Sequence, residues 1–148
     1  IAAIEEADAI LLVGTNPRRE APIVNARIRK RWRMGGVKIA VIGEVVDLTY
    51  TYDYLGAGPE TLADVVAGKH SFAEVLKGAS KPLVIVGQGA LARADGAAVL
   101  SLAAHAATAF GGVAEGWNGF AVLHTAASRV GALDLGLVPG EGGLDAAA

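Results

Sequence analysis

Ala9 to Trp32 reads AILLVGTNPRREAPIVNARIRKRW, and this stretch decides the fold. Ile10 to Val13 is an unbroken apolar run, too short for a typical helix, that stops at Gly14, as a strand buried on both faces would. Asn16 and Pro17 are turn formers. Pro22 suits the first turn of a helix, where its fixed φ fits and its missing N–H costs nothing. Val24, Ile28 and Trp32 then recur every four residues as one stripe of a 3.6-residue period, with Arg27, Arg29, Lys30, Arg31 and Arg33 on the other faces. Strand, turn and helix in this order open a parallel α/β fold. Its ligand crevice is expected at the carboxyl ends of the strands, where Asn16, Arg18 and Arg19 stand.

The bulk composition agrees with that reading. With 148 residues the chain is one domain with a real core, and the 53% hydrophobic but only 5% aromatic content calls for close packing through aliphatic and alanine side chains. A net charge of −2 gives no general attraction to nucleic acid or anionic membrane. The absence of cysteine removes disulfides, thiol nucleophiles and thiolate-held clusters from this segment. No basic start with an apolar run precedes Asp8, so no signal peptide is expected. The stretch from Gly96 to Ala114 lacks Asp, Glu, Lys and Arg. Its Ser101, His105 and Thr108 line one side of a helix opposite Val99, Leu102, Ala106 and Phe110, so it reads as half-buried and soluble rather than membrane-spanning.

Taken in order, Ile4 to Asp8 is an acidic lead-in, and the helix from Pro22 ends at Met34-Gly35-Gly36. Lys38 to Ile42 is a second buried strand. Residues 44–60 read as a long loop with at most one helical turn, of the length that is usually functional or packed on a neighbour. A short helix follows over Pro59–Ala67. The spacing of Ser71 and Glu74 predicts a capping box opening a helix to Lys77-Gly78. Leu83 to Val86 is a third strand, and an alanine-rich helix covers about Ala94 to Phe110. Asn118 is placed to cap a helix from Phe120 to about Val130. Residues 1–132 are thus one α/β domain, and the glycine-rich 133–148 a flexible tail. Three parallel strands are few for a sheet. A three-layer αβα, Rossmann-like domain with further strands before Ile1 or after Ala148 is the expectation.

Three groups are candidates for chemistry. In Gly14-Thr15-Asn16-Pro17-Arg18-Arg19-Glu20, turn amides and two guanidinium groups suit a phosphate; the plainer reading is a turn whose arginines pair with Glu20 or solvent. Gly87-Gln88-Gly89-Ala90-Leu91-Ala92 has the form GxGxxA after a strand, but no acidic residue follows at the ribose-binding distance, and close packing explains its glycines better. Glu44, Asp47, Tyr50, Tyr52, Asp53 and Tyr54 follow the second strand, where carboxylates can accept from a ribose or a guanine; more often such residues cap and cover a loop. His70, His105 and His124 are scattered and fit neither a metal spacing nor a catalytic triad. Seven of the thirteen Lys and Arg residues fall between Arg18 and Arg33, either as a solvated helix face or as a docking surface.

The segments IEEADAILLVGTNPRREAPIVNARIRKRW, KIAVIGEVVDLTYTYDYLG, KPLVIVGQGAL, RADGAAVL and ALDLG resemble the large iron–sulfur subunit family of respiratory NADH:quinone oxidoreductase (complex I). The Gly14-Thr15-Asn16-Pro17 turn with Pro22 is more remotely similar to the corresponding turn of molybdopterin oxidoreductases. The resemblance implies a complex that passes electrons from NADH through FMN and iron–sulfur clusters to quinone, coupled to proton translocation. It implies 4Fe-4S and 2Fe-2S clusters in the parent subunit and none in this cysteine-free piece of its molybdopterin-like region. It also implies other peripheral-arm subunits as partners, and a place on the cytoplasmic side of the bacterial inner membrane without insertion. Arg18 and Arg19, and Gly43-Glu44-Val45-Val46-Asp47, depart from the pterin-binding pattern.

On this reading the segment is structural, with no catalytic residue, no metal and no cofactor of its own. Asn16, Arg18, Arg19, Glu44 and Asp47 are the candidates for a vestigial pocket. The alternative is a nucleotide- or molybdopterin guanine dinucleotide-binding module using the loops after Gly14, Gly43 and Gly87.

Overall fold

The computed structural model describes residues 2–126 and 128–143, and is built on a five-stranded parallel sheet. After a 3₁₀ turn at Ala2–Glu6, the chain runs through β1 (Ala9–Val13), α1 (Pro17–Glu20), α2 (Pro22–Arg33) and β2 (Lys38–Ile42). Next come β3 (Asp53–Gly56), α3 (Pro59–Val66), α4 (Phe72–Gly78) and β4 (Pro82–Gly87). The last part holds α5 (Gln88–Leu91), α6 (Gly96–Ala109), β5 (Val113–Ala114), β6 (Trp117–Asn118), β7 (Phe120–Leu123) and α7 (Arg129–Asp134). The sheet order is β3-β2-β1-β4-β7, with every neighbouring pair parallel.

Alternation along the strands gives each face its own core. Ala9, Leu11 and Val13 join Ala40, Ile42, Val84 and Val86 beneath α3, α4 and α6. Ile10 and Leu12 join Ile39, Val41, Leu83 and Ile85 beneath α2 and the segment after β2. Because successive side chains of a strand point to opposite faces, an all-apolar β1 demands cover on both sides, and the helices supply it. In α2, Val24 and Ile28 are buried and Trp32 half-buried. In α6, Val99 and Ala106 are buried and Leu102 half-buried, with Phe110 buried at the C-cap, opposite exposed Ser101, His105 and Thr108. No helix among the described residues is long and apolar enough to cross a membrane.

Several expectations are corrected. The three-strand sheet is a five-strand sheet, and both added strands lie inside the chain. Residues 44–60 are not one loop: Asp53–Gly56 forms β3, paired in parallel with β2. The link from β2 to β3 is a loop rather than a helix, but it packs like one, with Leu48 and Tyr50 buried in the α2-side core. The expected helix from Phe120 begins as the edge strand β7, hydrogen-bonded to β4. Asn118 Oδ1 does accept from the Phe120 amide, at 3.1 Å, but the turn it closes feeds a strand. Gly119 decides this. A Cβ there would overlap the Pro82 carbonyl, so the chain passes directly against the start of β4, and the Gly119 carbonyl accepts from the Val84 amide at 2.7 Å.

The capping box is also absent. Ser71 has helical dihedrals and makes no capping bond, Glu74 pairs with Lys77 at 2.7 Å, and the Phe72 amide donates instead to His70 Nδ1 at 3.2 Å. The sequence after β1 contains a further helical turn, α1, where only a turn is expected. The described part of the expected tail, 133–143, is exposed throughout, and its first two residues belong to α7; 144–148 lie outside the described residues.

Candidate functional site

Gly14, Gly43 and Gly87 follow or end three neighbouring strands at the same level, because Val13 is in register with both Ile42 and Val86. Each is held to glycine by crowding. Gly14 has φ +55° and its Cβ position is taken by the Ala90 methyl; Gly43 has φ +141° and its Cβ would stand 3.3 Å from the Gly14 Cα. A Cβ on Gly87 would run into the Gly14 carbonyl. The chain winds outward from β1 through β2 to β3, then crosses to β4 and β7 on the other side. The switch point therefore lies between the carboxyl ends of β1 and β4, where ligands bind in open α/β sheets.

Two adjoining clefts open at this end of the sheet, one between the loops after β1 and β2 and the other reaching the switch point. One, of about 500 Å³, is lined by Asn16, Arg18, Arg19, Glu44 and Asp47, with Val45 and Val46. The other, of about 250 Å³, reaches over Gly14, Thr15, Asn16 and Glu20 to Gly89 and Ala90. The fold therefore gathers all five pocket candidates named from the sequence, and it joins the first candidate loop to Gly89 and Ala90 of the second.

The donors at this place already have partners. The Glu20 carboxylate turns back on its own helix: Oε1 accepts the Asn16 amide, and Oε2 accepts the Thr15 hydroxyl at 3.1 Å. This is the capping-box geometry displaced by one residue, and it puts a carboxylate where an incoming anion would find its donors. Arg18 reaches across to the next loop, with Nη1 2.5 Å from Asp47 Oδ2 and 3.1 Å from the Asp47 carbonyl oxygen. The plainer reading, arginines pairing with Glu20 or solvent, changes in part: Glu20 takes a backbone amide and a hydroxyl and Arg18 takes Asp47, while Arg19 is exposed. The Thr49 amide, 2.9 Å from Oδ1, and then Arg18 hold the Asp47 carboxyl below the usual carboxylate range. Asn16 Oδ1 is buried without a hydrogen-bond partner among the described residues.

The phenols of the third candidate group serve the loop. Tyr52 donates to the Val46 carbonyl at 2.7 Å and accepts from its amide at 3.1 Å, and Tyr54 donates to the Gly43 carbonyl at 3.1 Å. Tyr50 points away from the cleft into the core, where it donates to Asn25 Oδ1 at 2.9 Å. Only Glu44 and Asp47 of that group line the cleft. Sequence reasoning places Gln88 in the second candidate group but gives its side chain no role. Its Oε1 accepts from the Thr125 amide and hydroxyl, both at 2.8 Å, and from Arg129 Nη1 at 3.2 Å, tying the end of β4 to the segment after β7. No spacing rule links positions 88 and 125, because the contact exists only once β7 is a strand. Among the described residues no three His, Asp or Glu side chains come together as metal ligands.

Known proteins share this sequence pattern. The molybdopterin oxidoreductase family profile matches residues 1–148. The chain is 44% identical over 139 residues to "NADH dehydrogenase (ubiquinone) iron-sulfur protein 1, mitochondrial" of Solanum tuberosum, covering 94% of this chain and 19% of that protein. It is 43% identical to the "NADH-ubiquinone oxidoreductase 75 kDa subunit" of Reclinomonas americana, over 93% of this chain and 20% of that protein. An NADH-quinone oxidoreductase subunit of Rickettsia bellii is likewise 43% identical, over 92% of this chain and 20% of that protein. The chain spans about a fifth of the length of these relatives.

Proposed function

The chain belongs to the molybdopterin oxidoreductase family, and from that premise we propose that it is a structural segment of the large subunit of an NADH:quinone oxidoreductase. The whole complex would transfer electrons from NADH through FMN and iron–sulfur clusters to quinone, with coupled proton translocation. This segment would hold none of the redox centres. It supplies no cysteine for a cluster, so the 4Fe-4S and 2Fe-2S groups would belong to other parts of the parent subunit. Residues 1–132 would act as one rigid α/β unit and 133–148 as its extension. Its partners would be other peripheral-arm subunits, with the segment on the cytoplasmic side of a bacterial membrane and not inserted in it.

The observation that carries this reading is the carboxylate of Glu20 at the turn after β1. A pterin guanine dinucleotide is a polyanion, and a crevice built for it offers free amides, hydroxyls and cations. Here the Asn16 amide and Thr15 hydroxyl are engaged by Glu20, Arg18 is engaged by Asp47, and the Ala90 methyl stands over Gly14. The residues present do not fit the family's cofactor. Asn16, Arg18, Arg19, Glu44 and Asp47 would be what remains of a pocket after the chain has satisfied its donors internally.

One feature favours the alternative, a nucleotide- or pterin-binding module: Asn16 Oδ1 has no partner among the described residues, and its residue lines both clefts. Mass spectrometry of small molecules released from the purified full-length protein tests the choice. The structural reading expects no pterin and no guanine nucleotide in stoichiometric amount. A stoichiometric release that Arg18→Ala abolishes would establish the alternative.

A further inference from the structure

The outer face of α2 carries a groove of about 610 Å³, lined by Ala26, Arg29, Lys30, Arg33, Met34 and Thr49 among others. It lies away from the switch-point clefts, and the proposed function makes no use of it. The cations of this helix are unequally satisfied. Arg27 and Lys30 hold Glu5, at 2.7 and 2.5 Å, and Arg31 donates to the carbonyls of Ala7 and Gly35, both at 2.6 Å. Arg29 and Arg33 have no hydrogen-bond or ion-pair partner among the described residues, and both are exposed. They stand four residues apart on one helix face, close enough for like charges to repel. Pro22 lines one end of the groove and Met34, 65% exposed, the other.

The opposite rim is rigid. Thr49 has a left-handed backbone, φ +71°, which a β-branched residue rarely adopts, and three contacts hold it there. Asp47 Oδ1 takes its amide, the Leu48 carbonyl accepts from Asn25 Nδ2 at 3.2 Å, and Tyr50 donates to Asn25 Oδ1. A groove with a fixed wall, two unpaired guanidinium groups and apolar ends is arranged for an anionic ligand with some apolar surface.

Charge distribution selects among anionic ligands. Residues 18–33 hold seven of the thirteen cations and one of the fifteen carboxylates, leaving six cations against fourteen carboxylates in the rest of the chain. A long polyanion or an anionic bilayer would meet that acidic remainder. A short segment confined to the groove would not, and twelve helical residues span only about 18 Å. We propose that this face docks an acidic polypeptide segment of a partner subunit, with Arg29 and Arg33 pairing its carboxylates and Pro22 and Met34 covering its apolar residues. The proposal rests on the subunit reading above.

The test uses the full-length protein in its assembled form, with a photocrosslinking residue at Ala26 and, as a control, at Ser101 on the exposed face of α6. The expected product joins position 26 to a segment of another subunit in which Asp and Glu outnumber Lys and Arg, and position 101 does not give it. Its yield should fall about tenfold with Arg29→Gln and Arg33→Gln together, fall on adding salt, and persist with Arg29→Lys and Arg33→Lys. Crosslinks from position 26 to lipid, to nucleic acid, to a second copy or to the rest of the same chain would overturn the proposal, as would no crosslink at all. If the full-length protein purifies alone, the subunit reading falls with it. If it is assembled and position 26 gives no acidic partner, only the docking proposal falls.

Discussion

Tyr50 donates its phenolic hydrogen to Asn25 Oδ1 across 2.9 Å, and both residues are buried. Asn25 Nδ2 in turn donates to the Leu48 carbonyl, so one asparagine in α2 fixes the connection from β2 to β3 at two points. That connection contains no helix, and these bonds replace the backbone pairing that a helical crossover would bring with it. Tyr50→Phe leaves a buried acceptor unmet and should cost about 1–2 kcal/mol, whereas Asn25→Ala strands two groups and should cost about 2–3 kcal/mol. Urea titrations of the two variants check the order.

The same phenol gives an alkaline signature. Burial, and secondarily Tyr52, raise the Tyr50 pKa well above its ordinary 10.0. A proton held more tightly when folded stabilises fully below the unfolded pKa and loses that contribution as pH rises past it. Stability should therefore begin to fall above about pH 10, and the Tyr50→Phe variant should fall less steeply over the same range. Equal slopes in the two proteins would contradict the burial.

Glu20 is the internal partner of the turn after β1. Glu20→Ala frees the Asn16 amide and the Thr15 hydroxyl and should cost about 1 kcal/mol, as the loss of a helix cap does. Glu20→Gln retains one acceptor oxygen and should cost less. Thermal melts at neutral pH distinguish the pair.

Gly14 meets two constraints that can be separated. Gly14→Ala must place an alanine at φ +55° and also overlap the Ala90 methyl. The combined cost should reach about 2–3 kcal/mol. Adding Ala90→Gly removes the overlap and not the backbone strain, so the double variant should recover only part of the loss. Full recovery would mean that the left-handed backbone contributes nothing.

Burial of β1 on both faces is testable with adjacent leucines. Leu11 and Leu12 are each fully buried, one in each core. Leu11→Ala and Leu12→Ala should both cost about 2–5 kcal/mol. A sheet covered on one side only would give one large effect and one small.

The sequence carries clear signs of β1, α2, β2, β4 and α6 because each has an apolar pattern long enough to choose one period. Asp53-Tyr54-Leu55-Gly56 escapes that test, since it has two polar or amphipathic residues and no helix before it. Phe120-Ala121-Val122-Leu123 is apolar without a period, and only the closeness of Gly119 to the Pro82 carbonyl makes it a strand. At the clefts, the five residues named from strand-end position do line one cavity, because a parallel sheet brings every strand's carboxyl end to one rim. What those residues do there was hidden. Arg18 meets Asp47 and Gln88 meets Thr125 over separations of 29 and 37 residues, and the return of Glu20 to the Asn16 amide required the unanticipated turn α1.

An equilibrium titration of the folded chain with a guanine nucleotide, followed by calorimetry, addresses most directly whether the donors at the strand-end clefts are taken up by the chain's own side chains. The expected result is no saturable heat, with the same flat trace for Arg18→Ala and Arg19→Ala together. Saturable micromolar binding to the unaltered chain, abolished by those two substitutions, would contradict it.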